Sequence, residues 1–130
     1  MKITIIDVPK IENSLGNIAV IEKNTIPFEI KRVYYLFDIP SNATRGGHAH
    51  KKLQQVLIAI SGSFDVVLNN GETQKTVTLN KPDKGLLIEN NTWRELENFS
   101  SGAVCLVLAS NEYDELDYIR DYEEFLDSKK

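Results

Sequence analysis

The two histidines of this chain stand two residues apart, in the run Arg45-Gly46-Gly47-His48-Ala49-His50-Lys51-Lys52. Histidine exchanges protons near neutrality, its unperturbed pKa being about 6.5, so a site that holds two can take a proton from one ligand atom and return one to a neighbour. On an extended strand the i, i+2 spacing places both rings on one face, roughly 7 Å apart at the backbone. Charge is arranged around them. From Lys31 to Lys52 the chain carries Lys31, Arg32, Arg45, Lys51 and Lys52 against Asp38 alone, although its net charge is −4. A basic segment around two proton carriers fits an anionic small ligand, whereas the overall acidity argues against a general nucleic-acid binder or a membrane-surface protein.

The elements that must position these residues follow from patterning. At 130 residues, 42% hydrophobic and 26% charged, the chain reads as a single domain, 1–130, with one core. Turn signals recur at Pro40-Ser41-Asn42, Ser61-Gly62, Asn69-Asn70-Gly71 and Asn80 to Gly85. They separate short candidate strands at 18–22, 32–38, 48–50, 54–60, 63–69, 73–79, 85–88 and 103–108, the spacing of an all-β sandwich or barrel. Asn70-Gly71 is a hairpin signal because both residue types tolerate positive φ. Near the C-terminus Leu116, Ile119, Tyr122 and Phe125 or Leu126 recur at helical spacing, which predicts a short amphipathic helix. Cys105 lies in an apolar run and reads as a small buried hydrophobe. The N-terminus is too soon interrupted for a signal peptide and no apolar run reaches the ~20 residues of a membrane span, so a cytoplasmic location is expected.

The spacing His48-x-His50-x4-Gln55-x6-Gly62 resembles the first motif of the cupins, a jelly-roll family in which HxH is followed by an acidic metal ligand and a turn glycine. Gln55 takes the acidic position. The second motif, which normally adds a further histidine, has its counterpart in Gly85 to Arg94, with Arg94 in the histidine's place. A divalent ion generally needs three or four N, O or S ligands, and an arginine cation opposes it. The chain therefore reads as a cupin double-stranded β-helix with a short C-terminal helix, without metal or other cofactor.

Three runs in order, Lys31 to Asp38, Arg45 to Lys52 and Asp114 to Arg120, resemble the dTDP-sugar 3,4-ketoisomerases, and the resemblance extends from about Ile11 to Phe125. It implies a metal-independent dimeric cupin of the cytoplasm that moves the ketone of dTDP-4-keto-6-deoxyglucose from C4 to C3, supplying an aminotransferase in the making of 3-amino-3,6-dideoxy sugars of bacterial glycans such as O-antigen. It assigns His48 and His50 to the proton transfers, His48 being favoured as the C3 base, and matches Tyr35 to an active-site tyrosine. Arg120 matches an arginine near the pyrophosphate. Arg32, Arg45, Arg94 and Trp93 are the further substrate-binding candidates. Forked guanidinium donors suit phosphate oxygens.

Two positions depart from the family pattern: Leu15, where many relatives carry arginine or tyrosine, and Arg94, where some carry histidine. Both neighbourhoods bear on the configuration produced at C4, and Arg94 leans toward gluco. A 4-keto-sugar epimerase of the same architecture and a non-catalytic sugar-binding cupin are the competing readings, with a metal-dependent dioxygenase behind them.

Overall fold

The computed structural model describes residues 1–130. In chain order the strands are β1 (Thr4–Asp7), β2 (Lys10–Ile11), β3 (Ile18–Ala19), β4 (Arg32–Leu36), β5 (Arg45–His50), β6 (Gln55–Ser61), β7 (Phe64–Asn69), β8 (Gln74–Leu79), β9 (Lys84–Ile88), β10 (Trp93–Glu97), β11 (Val104–Ala109) and β12 (Tyr118–Ile119); helix α1 (Tyr122–Ser128) closes the chain. Two five-stranded antiparallel sheets face each other, one in the order β1-β9-β6-β11-β4 and the other β12-β5-β10-β7-β8. This is the expected jelly roll.

Period-two alternation fills the space between the sheets. Leu57 and Ala59 of β6, Phe64, Val66 and Leu68 of β7, Leu86 and Ile88 of β9, and Cys105 and Val107 of β11 meet in one buried cluster. Each fully buried Leu, Val, Ile or Phe contributes ~1.5–3 kcal/mol. The other face of β6 is also covered, because Val56 and Ile58 pack with Leu108, Val8 and Ile26 under the N-terminal segment. That double burial explains the uninterrupted apolar run of β6, which alternation alone would not produce. Gly62 turns β6 into β7 at φ +67°, where a Cβ would lie 2.4 Å from Ser100 Oγ and 2.9 Å from Ala103 Cα. Only glycine fits there.

Asn70-Gly71 does make a hairpin, but as a four-residue loop between the paired Asn69 and Gln74. Asn70 Oδ1 accepts from the amides of Glu72 and Thr73, and only Gly71 of the pair has positive φ. β1, β10 and the two-residue β2 and β12 were not among the expected strands. The C-terminal helix is shorter than its apolar spacing implies. Asp121 caps it by accepting from the Glu124 amide, while residues 115–117 form a 3₁₀ turn and Tyr118–Ile119 pair with β5. Ile119 and Phe125 reach the same apolar cluster with Ala49 and Trp93 from a strand and a helix respectively, which mimics one continuous helical face.

Candidate active site

β5 carries His48 and β10 carries Arg94 as direct partners in the sheet, with a register shift just beyond, between Arg94 and Glu95. Gly46 makes the close approach possible: at φ +90°, any Cβ would sit 3.0 Å from the Arg94 carbonyl oxygen. Opposite them β4 contributes Arg32 and Tyr34, and β6 contributes Gln55. These residues line a cavity of about 260 Å³ between the sheets, floored by Leu36, Leu57, Leu96 and Val107 and rimmed by Arg45, Tyr118 and Arg120.

The histidine rings meet edge to face, 4.9 Å between centroids, and the Tyr118 ring lies 5.0 Å from His48 and 4.3 Å from His50. His48 is on the cavity wall. Its Nε2 is buried and unpartnered, and in the tautomer that carries the proton on Nδ1 this nitrogen is a free acceptor. His50 lies off the wall and is 1% exposed. Its Nδ1 faces Asp117 Oδ2 at 3.2 Å, and the same carboxylate accepts from the amides of Lys52 (2.9 Å) and Leu53 (3.2 Å). A carboxylate can only accept here, so His50 carries its proton on Nδ1 and has a lone pair on a buried, unpartnered Nε2. Burial first and the Arg94 cation second hold both histidines down to about 3, so both are neutral at physiological pH.

Arg94 is 2% exposed and faces no carboxylate. Nη1 donates to Gln55 Oε1 at 2.6 Å, and Nε and Nη2 donate to the Thr92 carbonyl at 3.3 and 3.2 Å. Desolvation lowers its pKa to about 10, which leaves it charged. Gln55 Nε2 donates to the Tyr34 hydroxyl at 3.0 Å. Arg32 stacks on the Tyr34 ring, 4.4 Å from its centroid. At the rim Arg120 lies 4.0 Å over the Tyr118 ring and forks onto Glu115, with Nε to Oε1 at 2.7 Å and Nη2 to Oε2 at 2.8 Å. Tyr113 donates to the same Glu115 carboxylate. The cupin metal position does not suit a divalent ion in this chain. Both histidines have a free Nε2, but Gln55 Oε1 is already taken by a guanidinium, whose charge occupies the place of a fourth ligand.

A family model described as "FdtA: WxcM-like, C-terminal" matches residues 1–130. The chain is 48% identical over 126 residues, 96% of its length and 91% of the relative's, to TDP-4-oxo-6-deoxy-alpha-D-glucose-3,4-oxoisomerase of Aneurinibacillus thermoaerophilus. A mutant of the 3,4-ketoisomerase QdtA from Thermoanaerobacterium thermosaccharolyticum, crystallised with TDP-4-keto-6-deoxyglucose, superposes with a TM-score of 0.95 at 44% identity, covering 98% of this chain and 93% of that one. The WlaRB TDP-quinovose 3,4-ketoisomerase from Campylobacter jejuni superposes with a TM-score of 0.91 at 51% identity, covering 96% and 97%. The chain belongs to the dTDP-sugar 3,4-ketoisomerase family.

Within this ketoisomerase fold, His48, Arg32, Arg45, Arg94 and Arg120 line one cavity, and His50 lies behind it. Two expectations need correction, both by one residue. Tyr35 is 60% exposed and points away from the cavity, where Tyr34 stands instead. Successive side chains of β4 alternate, so the face that carries Arg32 carries Tyr34 and Leu36. Trp93 likewise faces the outside of its sheet: it is 7% exposed and packs on Phe125 and edge-on to Tyr122, whereas Arg94 points inward. Sequence reasoning missed Tyr34, Asp117, Glu115 and Tyr118. Period-two counting from Arg32 finds Tyr34; no local signal finds Asp117, which lies 67 residues from His50.

Proposed function

We propose that this chain converts dTDP-4-keto-6-deoxyglucose to its 3-keto isomer, with His48 as the base at C3. Nε2 of His48 takes the proton from C3, giving an enediolate whose negative charge rests on the C4 oxygen. The C3 hydroxyl proton passes to that oxygen, and a proton returned to C4 leaves the ketone at C3. The reaction is an internal exchange of hydrogens, so no redox cofactor is required. In the gluco configuration H3 and H4 lie on opposite ring faces, so the C4 proton comes from a solvent-exchangeable donor on the side of the cavity away from His48. Tyr34 and the buried Arg94 cation face the developing oxyanion, and Arg120, Arg45 and Arg32 meet the pyrophosphate. The observation that carries this reading is a neutral histidine on the cavity wall whose Nε2 has no hydrogen-bond partner and whose surroundings are cationic.

The product has the gluco configuration at C4. Arg94 supports this, as does the similarity to an enzyme named for TDP-quinovose, a gluco sugar. The protein acts as a homodimer. β4 is the outermost strand of its sheet and, with Phe37 just past its end, presents Val33 and Tyr35 as exposed apolar side chains, an edge that a second copy would cover. The unit is a single cupin domain, 1–130, without cofactor, working in the cytoplasm. No helix is long and apolar enough to cross a membrane.

Proton NMR of the protein with dTDP-4-keto-6-deoxyglucose in D2O tests the reaction. A 3-keto sugar with deuterium at C4 is expected, and its coupling constants report the configuration. One observation favours a second reading: the His50–Asp117 pair resembles the histidine–aspartate pairing of the sugar epimerases. Epimerisation would exchange protons next to a ketone that stays at C4. His48, which is on the wall, has no carboxylate partner, and this favours the isomerase.

A further inference from the structure

Gln55 stands where a cupin would hold an acidic metal ligand, and its surroundings determine the direction of every hydrogen bond through it. The Arg94 guanidinium can only donate, so the Gln55 atom 2.6 Å from Nη1 is the carbonyl oxygen. The reversed amide would set N–H against N–H at that distance. The amide nitrogen is therefore the atom facing Tyr34, at 3.0 Å, and the Tyr34 oxygen accepts. A phenol that accepts from its buried neighbour keeps its own proton for another acceptor, and Tyr34 lines the cavity. Arg94 and Gln55 are both buried, at 2% and 3% exposure, so water does not compete for these bonds.

We infer that Gln55 is a positioning residue: a one-way relay from the buried Arg94 cation that obliges Tyr34 to donate its hydroxyl proton as a hydrogen bond into the cavity. The inference rests on the ketoisomerase reading for the identity of the acceptor, the sugar oxygen that gains negative charge. The relay passes the polarising effect of a cation to the site through a neutral amide. It explains why glutamine occupies this position: a carboxylate would accept from both sides and turn the Tyr34 proton away from the substrate.

Gln55→Glu is the decisive substitution because it preserves shape while reversing one bond. It is expected to lower kcat ~10²-fold, the range of a lost oxyanion donor, with KM changed less than about threefold. Tyr34→Phe alone is expected to cost a similar factor, and in the Gln55→Glu background to cost less than about threefold more, since the donor is already lost. Full additivity of the two losses overturns the relay, as does a Tyr34→Phe variant with unchanged kcat, a result that does not depend on the folding of Gln55→Glu. An activity-independent arm follows the Tyr34 phenol by 13C NMR of ring-labelled tyrosine, with Tyr34→Phe assigning the signal. Replacing a donor by a carboxylate should move its titration upward by at least about one unit, and an unmoved titration overturns the inference. If wild-type protein leaves the ketone at C4, the ketoisomerase reading fails while the phenol titration still decides the relay.

Discussion

Arg94 and Arg120 line the same cavity in opposite circumstances. Arg94 is buried, faces no carboxylate and gives its hydrogen bonds to neutral oxygens. Arg120 is half exposed and already forked onto Glu115. A cation in a dry surrounding acts strongly on its neighbours, and a paired, solvated one acts weakly until a better anion arrives. On the proposed reading the buried end of the cavity performs the chemistry and the rim binds the nucleotide. Substitutions at the first should reduce kcat; substitutions at the second should raise KM.

The largest effect is expected at the buried end. His48→Asn keeps the size of the side chain and a hydrogen-bonding group but removes the base, and kcat should fall ~10³-fold with dTDP binding retained, as calorimetry would show. A loss of binding with kcat intact would place His48 with the rim. Arg94→Met comes next. It removes the charge without opening a large hole, so a folded protein is expected, with kcat reduced ~10²-fold. Arg94 is the second cause, after burial, of the low pKa of His48. Without it that pKa rises from about 3 toward 6.5, and because the base works only when neutral, the acid limb of kcat/KM moves upward in pH. An unmoved limb would show that the buried cation does not govern the base. The same shift appears in stability. Both histidines are harder to protonate folded than unfolded, so their contribution is complete above pH 6.5 and is lost as pH falls toward about 3. Urea midpoints at pH 7, 5 and 4 should decline, and decline less in His50→Asn.

Much of the buried end was legible in the sequence, and the reason is physical. His48, His50, Gln55 and Gly62 belong to one strand–turn–strand run whose spacing the fold fixes. Gln55 and Arg94 were each readable as departures from a metal-binding set, but their 2.6 Å bond was not, because it joins strands of opposite sheets. The errors at Tyr35 and Trp93 come from phase. Two adjacent tyrosines, or Trp beside Arg, are both acceptable on either face by composition, and only the neighbours' alternation selects one. β1 and β10 escaped because Thr4–Asp7 is short and Trp93–Glu97 carries two glutamates and an arginine inside five residues. The rim was least legible. Glu115 and Asp117 sit in a 3₁₀ turn within a segment whose apolar spacing suggested a helix, and the partners of Asp117 are set by how β12 docks on β5.

At the rim, Arg120→Ala should raise KM for the nucleotide sugar about tenfold, the scale of one charge-assisted hydrogen bond, and leave kcat within about twofold. Added salt should weaken wild-type binding more than that of the variant. A fall in kcat with KM unchanged would move Arg120 to the chemical end and erase the contrast between the two ends of the cavity.

The smallest effect decides what Glu115 does. Its carboxylate is held down to about 2 chiefly by the Arg120 hydrogen bonds, so it is charged at any working pH and holds Nε and Nη2 of that arginine. On the proposed reading, pyrophosphate must share Arg120 with it or displace it. Glu115→Gln keeps one acceptor for the guanidinium and removes the charge that repels the ligand, so KM should fall about twofold while kcat is unchanged. Low salt should enlarge the difference, because the repulsion acts through solvent. If KM rises instead, Glu115 aims Arg120 at the phosphates, and the rim is preorganised by its own salt bridge as the buried end is by Gln55.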